Sequence, residues 1–338
     1  MNHPGLSLKT LSFITIAIII LVSAGGFVYL STLPAGKKDV YPLSIIDDHG
    51  RNVTIKVKPK KIVSLVPSAT ETIYAAGAGN LIVGVDQFSA YPDDLVKRVK
   101  SGNITTLGSG FTPDLDKIIS LGPDVIFVSA RSQLEAKPLQ RLLELGFPII
   151  GLDANSVSGV LHDIKLVGRV TGNSETAEKV VASLKERVTN VQNAVKNSPK
   201  VRVYVENWPD PLFSVGPGSI QNDLIELSGG VNVFSDLPRK SAQVTPEAVI
   251  AKNPEVVILF EKSVSLDQVK SRPGWNVIDA VRKNRVHYIS EEENAGQYGA
   301  PGPRIVDGLE KMARLIHPEL FKLENARVNA LLMLVRAR

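Results

Sequence analysis

The side chains that could do chemistry in this sequence are scattered singly. Its five histidines, His3, His49, His162, His287 and His317, share no metal-ligand spacing. Gly77-Ala78-Gly79 follows a helical pattern, and Ile82 stands where a dinucleotide fingerprint needs glycine. Neither a Gly-Lys-Ser/Thr phosphate loop nor a G-x-S-x-G nucleophile turn occurs. Asp47-Asp48 and Glu291-Glu292-Glu293 have the spacing of solvated loops, not of an acid–base pair. The residue types therefore point away from covalent chemistry and towards binding.

Acids do recur in one setting. Thr112-Pro113-Asp114-Leu115-Asp116 leads through Ile118-Ile119 to Gly122-Pro123-Asp124-Val125-Ile126-Phe127-Val128. Thr245-Pro246-Glu247 leads through Val249-Ile250 to Asn253-Pro254-Glu255-Val256-Val257-Ile258-Leu259. Each copy reads as a capping Thr, a Pro at the first helical position, an acid in the first turn and a short helix. A Pro-acid turn and a buried β-branched strand follow. An acid in the first turn stabilises the helix dipole by about 0.3–1 kcal/mol without any partner. Two such units in one chain imply two similar lobes with a cleft between them.

The elements around these units alternate. Ser44 to Val57 reads as a hairpin about Asp48-His49-Gly50. Ile62 to Val66 is an apolar strand, after which Ser68 caps a helix ending at Gly77 and Gly79. Strands at Leu81–Val85 and Ile149–Leu152 and a helix near Leu139–Leu145 complete an α/β lobe over 39–155. Residues 156–198 are helical: Val157, Val160, Leu161, Ile164 and Val167 share one face. After Gly172-Asn173-Ser174, a helix over Thr176–Asn197, roughly 33 Å long, has the length of a strut. A second lobe over 199–321 opens on alternating Val201-Arg202-Val203-Tyr204-Val205, with a helix opened by Gly216-Pro217-Gly218-Ser219. Arg272-Pro273-Gly274-Trp275 leads another helix, Val286–Ile289 is the last strand, and Ile305–Ile316 is amphipathic. Residues 322–338 form a helical tail. The expected fold class is α/β: two Rossmann-like lobes with parallel sheets, joined by a long rigid α-helix and preceded by a transmembrane helix.

That last element rests on the absence of charge from Leu11 to Leu33, a run of roughly 35 Å as a helix. A retained anchor in 1–38, ending in a tether at Pro34–Lys38, is favoured over a signal peptide cleaved near Ser23-Ala24-Gly25. The body is then expected on the extracytoplasmic side of a single-pass membrane protein. Zero cysteines exclude disulfides, thiolate metal sites and a lipid-bearing N-terminal cysteine. A net charge of +5, carried by scattered Lys and Arg, argues against a nucleic-acid partner.

Several runs carry a resemblance. Lys61-Ile62-Val63-Ser64-Leu65-Val66-Pro67-Ser68-Ala69-Thr70-Glu71 and Val83-Gly84-Val85-Asp86-Gln87-Phe88 resemble the opening of the solute-binding proteins of iron-siderophore and vitamin B12 ABC importers. Ser219-Ile220-Gln221-Asn222-Asp223-Leu224, Gly229-Gly230-Val231-Asn232, Arg272-Pro273-Gly274-Trp275 and Pro303-Arg304-Ile305 resemble their second lobe. The similarity runs in order over about residues 59 to 320.

This resemblance implies a non-enzyme without a resident cofactor or metal. It would capture cobalamin or an iron-siderophore-type chelate between its lobes and hand it to an ABC permease and ATPase complex. It also implies one acid on each lobe facing permease arginines. Counting back from Pro123 and Pro254 pairs Asp116 with Glu247, whereas counting forward from the Thr-Pro steps pairs Asp114 with Glu247. Phe88 takes the place of a ligand-contacting tyrosine, and Ser68, Tyr91, Phe111, Arg131, Trp208, Arg239 and Tyr298 fall on loops expected to face the ligand. Aromatics there would stack on a corrin or a catechol, and Arg131 or Arg239 would meet phosphate or carboxylate. The B12 proteins' tryptophans have no counterpart, since Leu107-Gly108 and Lys240-Ser241 stand in those regions. The other readings are an anchored extracytoplasmic enzyme on the same fold and a sensor ectodomain, for which Met1–Thr10 is too short an output region.

Overall fold

A computed structural model describes residues 39–260, 265–289 and 298–321. The expected membrane helix, the Glu291-Glu292-Glu293 run and the 322–338 tail lie outside the described residues. Among the described residues no helix is long and apolar enough to cross a membrane.

The first half begins with a hairpin, β1 (Leu43–Ile46) and β2 (Asn52–Ile55), as its alternation predicts. Then come β3 (Ile62–Ser64), α1 (Pro67–Ala75), β4 (Ile82–Val85), α2 (Asp93–Lys100), β5 (Thr105–Thr106) and the small ribbon β6 (Gly108–Ser109) with β7 (Thr112–Pro113). α3 (Leu115–Leu121), β8 (Val125–Val128), α4 (Arg131–Glu135), α5 (Lys137–Glu144) and β9 (Ile149–Gly151) complete it. The sheet order is β5-β4-β3-β8-β9, every neighbour parallel. Strands β3, β8 and β9 are buried along their whole length, which is why they read as apolar runs.

Helices α6 (Val157–Thr171) and α7 (Ser174–Val195) carry the chain across. Ser156 caps α6, accepting from the Gly159 amide at 3.1 Å, and Gly172 ends it at φ 69°. The strut expected over Thr176–Asn197 is α7, 22 residues long, displaced two residues towards the N-terminus. It does not act alone. A Cβ on Gly168 of α6 would lie 2.4 Å from the Ala177 methyl of α7, so the two helices meet at near backbone contact.

The second half holds β10 (Val201–Pro209), β11 (Leu212–Val215), α8 (Ile220–Leu227), β12 (Gly230–Asn232), β13 (Ser241–Gln243), α9 (Pro246–Lys252) and β14 (Val256–Leu259). After these come α10 (Leu266–Lys270), α11 (Asp279–Arg282), β15 (Val286–Tyr288) and α12 (Ile305–Ile316). Its sheet corrects the expectation of two parallel sheets. β12, β14 and β15 join in parallel, but β11 returns antiparallel to β10, and β13 pairs antiparallel with β11. The cause is local: only Asp210 and Pro211 separate Pro209 from its partner Leu212, and a two-residue connection makes a hairpin.

One hydrophobic cluster covers a face of both sheets. It joins Ile62, Val125 and Phe127 to Val203, Val256 and Ile258 through the buried stripes of α6, α7 and α12. Smaller clusters back the opposite faces, around Leu65 and Ile126 in one half and around Tyr204 and Trp275 in the other. The two halves share this core, which includes the buried stripes of α6 and of the long helix α7.

Two expected caps move. Val66 precedes α1 and Ser68 sits inside its first turn, 5% exposed. Asp114, not Thr112, caps α3, because Thr112 is drawn into β7.

Candidate functional site

In open α/β sheets the loops leaving the carboxyl ends of parallel strands are the usual ligand sites. Beyond β4, Asp86 is 2% exposed, and burial raises its carboxyl above the usual range. It accepts from the Phe88 amide at 2.9 Å and from the Ser89 hydroxyl at 2.5 Å. Ser89 also bonds Thr70 at 2.9 Å, and Thr70 donates to Ser64 at 2.8 Å. This polar clamp fixes a short loop whose aromatics stand outwards, Phe88 63% and Tyr91 46% exposed.

Phe111, 53% exposed, crowns the β6–β7 turn. That turn is seated by Gln133, 3% exposed, whose amide donates to the carbonyls of Leu65 at 3.0 Å and Gly110 at 2.8 Å. A Cβ on Gly110 would lie 2.1 Å from the Leu65 oxygen, so only glycine allows this approach. The Gln87 amide donates to the Gly108 carbonyl at 2.8 Å, which ties the Phe88 loop to the Phe111 ribbon. Phe88, Tyr91 and Phe111 therefore share one end of the first sheet. Arg131 stands at the neighbouring strand end and donates to the His49 carbonyl at 2.8 Å.

Trp208, 51% exposed, ends β10, and its indole donates to the Asp210 carbonyl at 3.0 Å. Arg239 lies on an exposed loop whose carbonyl presses on Gly216. No hydrogen bond or ring contact joins Trp208 or Arg239 to the first-half aromatics among the described residues.

Two candidates are corrected. Ser68 is buried, because α1 begins two residues earlier than expected, capped at Val66, which places Ser68 inside the first turn. Tyr298 is wholly buried in the shared core, with its ring 5.7 Å from Phe260. Asp47, read as a loop acid, is also buried: it accepts from the amides of His49, Arg51 and Gly151 and pairs with the Arg51 guanidinium.

The helix frames sort the three acids expected to face a permease. Asp114 caps α3 and pairs with Lys117 at 3.2 Å, and the Lys117 amide holds its carboxyl below the ordinary range. Asp116 is then the second residue of α3, as Glu247 is the second residue of α9 after its Thr245 cap. Both are exposed, and neither enters an ion pair among the described residues.

Sequence reasoning missed the cation nearest Tyr91. Arg304 forks onto Glu71 at 2.9 and 2.6 Å, and its guanidinium lies 4.3 Å from the Tyr91 ring centre. Pro303-Arg304-Ile305 and Glu71 were each visible as parts of motifs, but nothing in their spacing predicted that they meet.

Two α/β sheets on one core, with exposed aromatics and arginines at their strand ends, have the architecture of a two-lobed ligand-binding fold. The chain belongs to the periplasmic binding protein family, whose sequence model matches residues 62–293. An uncharacterized ABC transporter substrate-binding lipoprotein of Bacillus subtilis is 32% identical over 292 residues, 85% of this chain and 89% of that protein. The vitamin B12-binding protein of Vibrio cholerae is 26% identical over 254 residues, 75% of this chain and 87% of its own. A possible iron-binding periplasmic protein of Staphylococcus epidermidis superposes with TM-score 0.67 at 29% identity, covering 77% of this chain and 100% of that one. The structure of the Vibrio cholerae vitamin B12-binding protein shares the fold, with TM-score 0.66 at 24% identity, covering 77% of this chain and 97% of that one.

Proposed function

We propose that this protein is the extracytoplasmic substrate-binding component of an ABC importer, capturing cobalamin or an iron-siderophore-type metal chelate for a permease and its ATPase. The observation that carries this reading is the clamped set of exposed aromatics, Phe88, Tyr91 and Phe111, at one end of the first sheet. Held from beneath by Asp86 and Gln133, these rings lose little freedom on binding and offer stacking surface to a ligand plane. In this reading exposed Trp208 of the second half supplies a further stacking surface.

Charge narrows the ligand. Arg304 is paired with Glu71, and Arg272 with Glu206, each acid nearly buried. Arg131 and Arg239 are left to meet a phosphate or a carboxylate. That balance suits a chelate of low net charge better than a polyanion, and cobalamin fits it. The names of the Vibrio cholerae and Bacillus subtilis relatives support both ligand class and transport role.

In this reading 39–155 and 199–321 are the ligand-gripping lobes and 156–198 is their connection. Asp116 and Glu247 meet permease arginines, and the uncharged run Leu11–Leu33 holds the body at the membrane. The Bacillus subtilis relative is named a lipoprotein, and the present sequence contains no cysteine. Family membership favours capture over the enzyme reading.

The test is a titration of the detergent-solubilised full chain with cyanocobalamin, ferric hydroxamate and haem, followed by tryptophan emission. Cyanocobalamin is expected to perturb exposed Trp208 at micromolar concentration or below. No response to any of the three would reject the reading.

A further inference from the structure

Arg304 uses two parts of its guanidinium at once. The edge, Nε and Nη2, donates to the two carboxylate oxygens of Glu71 in α1 at 2.9 and 2.6 Å. The face covers the Tyr91 ring at 4.3 Å. Only a planar cation does both, which an ammonium could not reproduce. The side chains are 21% and 6% exposed, so water competes little for the pair.

The partners come from opposite ends of the chain. Arg304 enters α12, which packs on α7 and α8, whereas Glu71 and Tyr91 belong to the first half. The approach is close: a Cβ on Gly302 would lie 3.4 Å from the Glu71 carboxylate and 3.6 Å from the Ser68 Cα. Tyr91 is thus gripped twice, through its loop by the Asp86–Ser89–Thr70 clamp and on its ring by a residue of the second half.

We propose that Arg304 is a positioning residue for the ligand face and a latch between the halves, so that the aromatic wall of the first half is complete only while the second half is seated against α1. Moving the halves apart breaks the fork on Glu71 and releases the Tyr91 ring in one step. A permease that spreads the halves would then weaken ligand stacking through a side chain that need not touch the ligand. The ligand part of this inference rests on the binding function proposed above; the latch does not.

The chain has no cysteine, so Lys100→Cys and Asp267→Cys place one spin label on each half without background. In the ligand-free full chain, Arg304→Gln is expected to broaden the distance distribution about twofold as the seated state loses population. Tyr91→Trp, in a Trp208→Phe background, reports ring placement, and its emission is expected to shift red when Arg304→Gln is added. Cyanocobalamin affinity is expected to fall about tenfold with Arg304→Gln, the order of one lost ring contact. Arg304→Lys, which keeps charge and fold but not the fork, should fall between.

The swap Glu71→Arg with Arg304→Glu separates latch from simple ion pair. It should recover the narrow distribution but not the blue emission or the affinity, because a carboxylate is repelled by the ring face. An unchanged distribution in Arg304→Gln, or full recovery of all readouts by the swap, overturns the proposal. If the unmodified protein ignores cyanocobalamin, the ligand reading fails while the two ligand-free readouts still decide on the latch.

Discussion

Glu206 and Arg272 form a fork of 2.5 and 2.8 Å at the end of β10, with the acid 3% and the base 18% exposed. The same guanidinium lies 4.6 Å over Trp275, and the Tyr204 hydroxyl donates to Glu206 at 3.3 Å. The pair therefore holds the β10 end against the second half's core. Glu206→Gln strands a buried cation and is expected to cost about 3–5 kcal/mol, read as a lowered urea midpoint. Arg272→Lys should lose part of this, since an ammonium neither forks nor stacks. A cost below about 1 kcal/mol for both would show the fork to be incidental.

Asp163 is 2% exposed within α6, and its Oδ1 has no hydrogen-bond partner among the described residues. Burial first, then the charges of Asp48 and Asp153, push its carboxyl up to about 9. An unfolded aspartate titrates near 3.9, so the folded protein keeps a proton that the unfolded chain releases. The stabilisation is full below about pH 4 and is lost as pH rises towards about 9. Asp163→Asn should flatten this slope and raise the unfolding free energy more at pH 8 than at pH 5, by on the order of 1–3 kcal/mol. Parallel pH profiles for the two proteins would contradict the assignment.

The Gly110 position has no room for a side chain. Gly110→Ala forces a methyl to 2.1 Å from a backbone oxygen, so the β6–β7 ribbon must lift from β3. The expected loss is about 1–3 kcal/mol. Cyanocobalamin affinity should fall as well, because Phe111 moves with the ribbon. Calorimetry and titration of the same sample check both, and a change in stability alone would remove Phe111 from the ligand face.

The frame of α3 predicts how the acids divide. Asp116→Ala with Glu247→Ala should abolish uptake in vesicles containing the permease and leave ligand affinity intact. Asp114→Ala should instead cost about 0.5–2 kcal/mol of stability through the lost cap and spare uptake. The opposite division would assign docking to Asp114.

The duplicated units were legible as residues because their signals are local. Pro123-Asp124 and Pro254-Glu255 precede apolar runs, and those runs are β8 and β14. Both acids cap a neighbouring strand: Asp124 accepts from the Lys61 amide at 2.9 Å, and Glu255 accepts from the Arg202 amide at 3.0 Å. The length of α7 followed from its 3.6-residue apolar stripe, with Ala177, Val181, Leu184 and Val191 all buried. The antiparallel return of β11 was missed because four residues beside two prolines carry no periodicity.

Which Thr or Asp caps α3 could not be read from types alone, since both are good caps; β-pairing of Thr112 decided it. The exposure of Phe88, Tyr91 and Phe111 agreed with their loop positions, whereas Ser68 and Tyr298 stood on equally plausible loops and are buried. Arg304 and Glu71 are 233 residues apart, and no pattern along a chain reports a contact made only when two sheets close on one core. Element types and the paired acids come from near-neighbour physics, which any stretch of sequence carries. Burial of particular side chains and the joining of the halves come from long-range packing, which exists only once the chain has folded.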